Sequence, residues 1–368
     1  MIIRELSAAG EGVPGNAELH QEVSSVVLQE VLGLSCQSHL GPLQILDFSS
    51  TFFIEWGLST ERQGVFVKIP KVEIEKRQIG IVTPADRSSA AEEYSSLVRL
   101  SQTWKGDDLG VNFIKPLAFL SRYNAIVTQR AYGRDFFGLF RRADLRRRGQ
   151  EPGTDDQAQQ VLNRLGRALA RYHLVCGEEA RFEVDGTAKK IQGYLARLQE
   201  LQVDRALISQ VAKALIELRG RTASTHLTNT IKGLDVRNIL IDSEGRLFLL
   251  DPGKLKKDCK EADLARFLVT CRILYWGSLW FFLRLTPHEA YEKSFLQGYR
   301  SGAAAADWVL TLFTIKEFLK HWLMAYNALG LKRWPRPFKA FLQRTYIDPF
   351  YRKQIRDELR KLFWECGS

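Results

Sequence analysis

Residues 231 to 254 contain two short apolar runs, Ile239-Leu240-Ile241 and Leu247-Phe248-Leu249-Leu250, with Asp242-Ser243-Glu244-Gly245 between them. Short β-branched and aromatic runs favour strands, and the spacer supplies the side-chain acceptors and the glycine that a tight turn needs. The segment is therefore expected to form a β-hairpin whose two open ends lie side by side. That constrains the chemistry, because Asp235 and Asn238 precede the first run and Asp251 follows the second. Two carboxylates and an amide oxygen converge at one edge. Hard oxygen donors of this kind suit Mg²⁺ carrying a nucleoside triphosphate.

The pattern resembles the protein-kinase-like superfamily, and within it the aminoglycoside phosphotransferase and lipopolysaccharide kinase branches. In those families a catalytic-loop Asp is followed by an Asn, an Ile-Leu strand, a hairpin and then Asp-x-Gly. Asn238 and Asp251 lie 251 − 238 = 13 residues apart, the spacing of that motif's two metal ligands. The loop before them departs from the pattern. Asp235 and Asn238 enclose only Val236 and Arg237, where the usual loop has four residues, and Gly233 stands where a His is often found.

The resemblance implies an α+β, bilobal protein-kinase-like fold. A small β-rich N-lobe, residues 1–130, would carry a sheet, one helix and the nucleotide site; a larger helical C-lobe, residues 131–368, would carry the catalytic hairpin and the acceptor site. ATP and Mg²⁺ are the implied cofactors. Asn238 and Asp251 would hold the metal, Asp235 would accept or orient the acceptor's hydroxyl proton, and Arg237 would stabilise the transferring phosphoryl group.

Upstream, Gly64-Val-Phe-Val-Lys68-Ile-Pro is a β-rich run ending in a lysine that resembles the family's strand lysine on the α- and β-phosphates. Leu43 to Glu55 reads as strand, small-residue turn and strand, with the turn at Phe48-Ser49-Ser50-Thr51; backbone N–H groups of such a turn can cradle phosphate oxygens. Residues 87–101 have helical spacing of Ala90, Tyr94, Leu97 and Leu100. Glu93 on that helix is the expected partner of Lys68, with Glu92 the neighbouring alternative. Residues 113–133 give two strands and a Gly-containing connection like the family's hinge, which makes the backbone of Arg130, Ala131 and Tyr132 the candidate contact for the adenine edge.

A long helix is expected from Gln157 to Val175, with His173 as a packed structural residue, since no Ser or Cys nucleophile accompanies it. Residues 188–219, rich in Leu, Ala, Lys, Glu and Gln, should form one or two helices in the place where small-molecule phosphotransferases hold acceptor-binding structure. Asp263 resembles a helix-start Asp that accepts backbone N–H bonds and supports the catalytic loop.

The 368 residues and 45% hydrophobic content are ample for a core split between two lobes. Residues 1–16 read as a flexible lead without the apolar core of a signal peptide. Cys36, Cys176, Cys259, Cys271 and Cys366 are scattered and form no CxxC pair, which suggests a reducing, cytoplasmic setting. The net charge of +11 comes with basic clusters at Arg141-Arg142, Arg146 to Arg148, Lys254 to Lys260 and 332–361.

A basic surface attracts phosphates of any origin. No nucleic-acid-binding motif is present, so nucleic acid ranks below an anionic acceptor or contact with an acidic membrane surface. Residues 273–283, too short to span a bilayer, are expected to pack in the large lobe or to lie at a membrane interface beside Arg272 and Arg284. No activation segment ending in Ala-Pro-Glu follows Asp251, which favours a small-molecule, sugar or glycolipid hydroxyl over a protein acceptor. The competing reading is a pseudokinase, a nucleotide-binding scaffold without transfer activity.

Overall fold

The computed structural model describes residues 14–34, 38–45, 49–57, 63–70, 84–104, 106–136, 154–280 and 288–367. Arg141, Arg142, Arg146 to Arg148 and Phe48 lie outside them. Contacts divide the chain into two units: residues 1–135, 231–233 and 238–255 form one, and residues 136–230, 234–237 and 256–368 the other.

The strands of the first unit up to residue 135 are β1 (His39–Leu40), β2 (Gln44–Ile45), β3 (Ser49–Trp56), β4 (Gln63–Pro70), β5 (Val111–Phe113), β6 (Pro116–Leu120), β7 (Ala125–Gln129) and β8 (Arg134–Asp135). A six-stranded antiparallel sheet runs β1-β3-β4-β7-β6, with β2 on β3. Period-two alternation along β4 sends Val65, Val67 and Ile69 into a core with Phe52, Ile54, Ala125 and Val127. Each such side chain contributes about 1.5–3 kcal/mol by leaving water. Phe66 and Lys68 take the opposite face.

Val23 of helix α1 (Pro14–Val26) and Val27, which follows it, cap the core. One helix was expected in this region beside the sheet; α1 is a second. It begins inside the stretch read as a flexible lead, because its buried valines need the sheet to cover them. Residues 1–13 lie outside the described residues. Helix α2 (Pro84–Thr103) buries Ala90, Leu97 and Leu100, as their spacing requires, and stacks Tyr94 on Phe119 at 5.7 Å.

The expected hairpin is present: it belongs to a second sheet of the first unit, formed by residues 239–241 and 247–249 with β5 and β8. Leu247 to Leu249 run parallel to Val111 to Phe113, and Ile241 pairs Arg134. The division at 130/131 drawn from sequence placed this hairpin with the helical region. Its contacts group it with the N-terminal strands, because a parallel partner far back in the chain leaves no local sequence signal.

In the second unit, α3 (Thr154–Cys176), β9 (Glu178–Glu183), α4 (Val184–Glu200), α5 (Arg205–Glu217) and β10 (Thr222–Ile231) precede the hairpin strands, β11 (Ile239–Ile241) and β12 (Leu247–Leu249). After them come β13 (Leu255–Cys259), α6 (Glu261–Trp280), α7 (His288–Arg300), α8 (Asp307–Leu331), α9 (Arg336–Leu342) and α10 (Asp348–Gly367). Strands β13, β10 and β9 form a small sheet. Helices α3 and α7 touch through glycines: a Cβ on Gly166 would fall 2.2 Å from the Phe295 carbonyl oxygen, and one on Gly298 2.0 Å from that of Asn163.

Buried Arg272 joins α6, α7 and α10. It donates twice to Glu292, at 2.7 Å each, and once to Glu358 at 2.6 Å. Burial alone would lower its pKa; the two carboxylates outweigh that and raise it. Trp276 stacks on Phe350 at 5.5 Å. Arg272 and Trp276 thus pack against other helices of this unit, as the packing reading of the segment expects. Phe281, Phe282 and Arg284 lie outside the described residues.

Candidate active site

Lys68 stands on the face of β4 opposite the valine core, next to α2. Its Nζ lies 2.7 Å from Glu93 Oε1 and 2.8 Å from Asp251 Oδ1. The expected Lys68–Glu93 pair is present, and the alternative is resolved by chemistry: Glu92, one residue earlier and exposed, pairs with Lys254 at 2.6 Å instead. Burial would lower the Lys68 pKa, but Asp251 and Glu93 together raise it, so the ammonium is firmly charged. Glu93 is raised by burial first; Lys68 opposes that and Asp251 adds to it. Two carboxylates thus share one ammonium. The cluster carries an excess negative charge that a further cation would satisfy.

Asn238 and Asp251 lie at the open end of the β11–β12 hairpin. Ile239 pairs with Leu249, and the Leu250 N–H donates to the Asn238 carbonyl at 2.7 Å, which brings Asp251 next in line. Asn238 Nδ2 donates to the Gly233 carbonyl at 3.0 Å, which leaves its Oδ1 as an acceptor. Asp251 has φ +41°, a left-handed conformation that costs a non-glycine residue about 1–3 kcal/mol. The surrounding backbone enforces it: the Gly233 N–H donates to the Pro252 carbonyl at 2.8 Å. A Cβ on Gly233 would sit 1.7 Å from the Asp251 carbonyl oxygen, so only glycine fits there. Ser96 Oγ accepts the Leu255 N–H at 3.1 Å, which with Lys254–Glu92 ties α2 to the residues after Asp251. Sequence reasoning missed this tie and the role of Gly233. Both depend on close approach between residues distant in the chain.

The turn expected at 48–51 is displaced. Ser50 pairs with Ile69 and Ile45, and Thr51 with Lys68 and Gln44, so Ser49, Ser50 and Thr51 are buried strand residues in β3. Their backbone groups serve the ladder and cannot cradle phosphate. The connection from β2 to β3 runs through residues 46–48, outside the described residues. At the candidate hinge, the Arg130 N–H donates to the Gly64 carbonyl at 2.8 Å. The Arg130 guanidinium pairs with Glu55 at 3.0 Å and lies 3.6 Å over Phe53. The Arg130 side chain is thus packed, and Ala131 and Tyr132 follow it outside any strand. All three line a cavity of about 650 Å³ with Trp104, Lys115 and Phe248; none of Lys68, Glu93 or Asp251 lines it.

In the second unit, Asp235 is buried and held by Arg237. Its Oδ1 accepts the Arg237 N–H and Nε, each at 2.9 Å, and its Oδ2 accepts Nη2. The fields of both residues reach His321 on α8, whose pKa is pushed down to about 4 by burial and Lys320, so that it is neutral near neutral pH. His321 was not singled out from sequence and has no local motif that marks it. Asp263, expected to support the catalytic loop, meets His173 Nε2 at 3.2 Å and Arg266 Nη1 at 3.3 Å. His173 is fully buried, with Nδ1 2.9 Å from Tyr299 Oη, a packed structural residue as expected.

The donor set at the hairpin end fits Mg²⁺. It comprises an amide oxygen and a half-exposed carboxylate, and no group of three or more His, Cys, Asp or Glu that could hold a metal occurs among the described residues. Two protein oxygens suit an ion that keeps water and phosphate oxygens for its remaining positions.

Together, the antiparallel sheet with its Lys–Glu pair, the Asp-Pro-Gly hairpin and the helical second unit define a protein-kinase-like fold. No family model and no curated protein sequence matches the chain. Solved structures do. The ADP-bound aminoglycoside phosphotransferase APH(2'')-Ib is similar with a TM-score of 0.51 at 12% identity, over 95% of this chain and 99% of that one. Glucosamine kinase (crystal form A) gives 0.51 at 15% identity over 92% and 81%. Macrolide 2'-phosphotransferase MphH from Brachybacterium faecium gives 0.50 at 14% over 84% and 94%.

Proposed function

We propose that this protein is an ATP- and Mg²⁺-dependent phosphotransferase that moves the γ-phosphoryl group to a hydroxyl of a small-molecule, sugar or glycolipid acceptor. The observation that carries the reading is the Lys68–Glu93–Asp251 cluster, at 2.7 and 2.8 Å, with Asp251 at the open end of the hairpin that Asn238 begins. A largely covered ammonium held by two carboxylates, one of them at the end of a hairpin, suits the phosphates of a metal–nucleotide. The similar structures include enzymes named for glucosamine, aminoglycoside and macrolide phosphorylation, which supports a small-molecule acceptor. A reducing cytoplasm, which supplies ATP, is the compartment the scattered cysteines suggest.

In this reading Lys68, oriented by Glu93, binds the α- and β-phosphate oxygens, and the backbone of Ala131 and Tyr132 meets the adenine edge. Asn238 and Asp251 would hold the metal, which would supply positive charge against the phosphate oxygens. Asp235 takes the proton of the acceptor hydroxyl as its oxygen bonds to the γ-phosphorus; the bond to the β–γ bridging oxygen breaks and ADP leaves. Arg237 orients Asp235 and offers positive charge to the transferring group. The N-terminal region serves as the nucleotide side and the helical region as the acceptor side. Positioning and charge neutralisation supply most of the rate.

One observation favours the second reading, a nucleotide-binding scaffold: both oxygens of Asp235 are already engaged by Arg237. Radiolabelled ATP offered with sugars, aminoglycosides and glycolipids separates the two. Transfer to an acceptor that is lost in Asp235→Asn supports the enzyme. Binding of Mg-ATP without transfer to any acceptor supports the scaffold. Arg237→Ala is expected to slow transfer, and a wild-type rate would remove its role.

A further inference from the structure

The segment between α8 and α10 has an unusual balance of charge and exposure. From Phe318 to Ile347 the sequence contains no Asp or Glu, while Lys320, Lys332, Arg333, Arg336, Lys339 and Arg344 are all basic. Within it, α9 buries none of its residues. Leu331, Trp334, Phe338 and Phe341 are 70%, 36%, 46% and 52% exposed. Leu331 ends α8, Trp334 lies in the link that follows, and Phe338 and Phe341 lie three residues apart on α9; the Trp334 and Phe338 rings meet edge-on at 5.4 Å. Large apolar side chains are ordinarily scattered singly on a surface; four in one short stretch with no buried neighbour in the helix mark an interaction site.

Charge identifies the partner. Among the described residues, Lys332, Arg333, Arg336, Lys339 and Arg344 have no carboxylate within ion-pair distance, and Lys339 donates only to the Gly330 carbonyl, at 3.0 Å. A partner must therefore bring anionic groups over the whole stretch and an apolar layer beneath them. A bilayer with anionic headgroups supplies both: Trp and Phe enter the headgroup–acyl boundary while Lys and Arg reach the phosphates. No helix among the described residues is long and apolar enough to cross a membrane, so the contact is peripheral.

We propose that residues 331–344, centred on α9, dock the protein on an anionic lipid surface. This goes beyond the phosphotransferase reading and does not depend on it, since the docking residues include none assigned to nucleotide or acceptor.

The test is co-sedimentation of the full chain, without nucleotide, with vesicles of phosphatidylcholine alone or with phosphatidylglycerol added. Wild type is expected to bind the anionic vesicles, more weakly at higher salt, and to leave neutral ones unbound. Neutralising Lys332, Arg333 and Arg336 to Gln should weaken partition on the order of 100-fold. A charge-matched control, Lys189, Lys213 and Arg219 to Gln, should weaken it less than about tenfold. Trp334, Phe338 and Phe341 to Ser should also release the protein, with an unchanged melting temperature because these side chains are exposed. Failure of wild type to bind anionic vesicles, equal binding to neutral ones, equal losses in both charge variants, or full binding by the Ser variant would each overturn the proposal. A wild type that instead binds only RNA, through the same residues, would do so as well.

Discussion

Asp251 meets its lysine across three elements of secondary structure, whereas Asp235 meets its arginine across two residues of chain. The first carboxylate comes from the end of β12, its ammonium from β4 and the opposing carboxylate from α2. The second is held by a partner that local geometry alone supplies. The difference matters for function. Burial first, and then the second carboxylate, raises the Glu93 pKa in a cluster assembled from distant elements with two carboxylates on one ammonium. Under the proposed function a cation–phosphate ligand would balance the second carboxylate. A neighbouring Asp–Arg pair needs no ligand to explain it. The nucleotide side therefore carries more of the functional argument than the presumed base does.

Substitutions can break that contrast. The largest effect is expected from Asp235→Asn, which should slow transfer by about 10²–10⁴-fold, the range for loss of a general base, while leaving Mg-ATP affinity nearly unchanged in calorimetry. Lys68→Met should act on the other side: about 10²–10³-fold lower kcat/KM, with most of the loss in nucleotide affinity. Gly233→Ala should lower the melting temperature through a loss of about 3 kcal/mol or more and abolish stabilisation by Mg-ATP, because its Cβ would displace the Asp251 backbone.

Smaller effects sharpen the comparison. Glu93 keeps its proton at pH values above its ordinary 4.5, so in the window just above 4.5 the folded chain binds more protons than the unfolded one. Stability from this group therefore falls as pH rises through that window, and Glu93→Gln should remove that slope in melting measured against pH. Glu92→Gln should leave transfer within about twofold of wild type, because its pair with Lys254 is solvent-exposed.

Much of this was legible from residue pattern. A β-rich run located the Lys68 strand, helical spacing located the helix that carries Glu93, and turn chemistry joined Asn238 to Asp251. What was not legible depended on contacts between distant segments. The turn before β3 was placed too late because register comes from the pairing of Ser50 with Ile69 and Ile45, not from the small residues themselves. Gly233 looked like a lost histidine until the Asp251 carbonyl was seen against its Cα. The packing of the Arg130 guanidinium over Phe53 likewise had no signal in the sequence. Helix α1 had no marker until the valine face that it covers was assembled.

The central claim is that the nucleotide cluster serves phosphoryl transfer through Asp235. Its most direct test pairs Mg-ATP binding with labelled phosphoryl transfer in wild type and Asp235→Asn across the same acceptors. The account predicts equal nucleotide binding by both proteins and transfer by wild type alone. Binding by both with transfer by neither, or equal transfer by both, would contradict it.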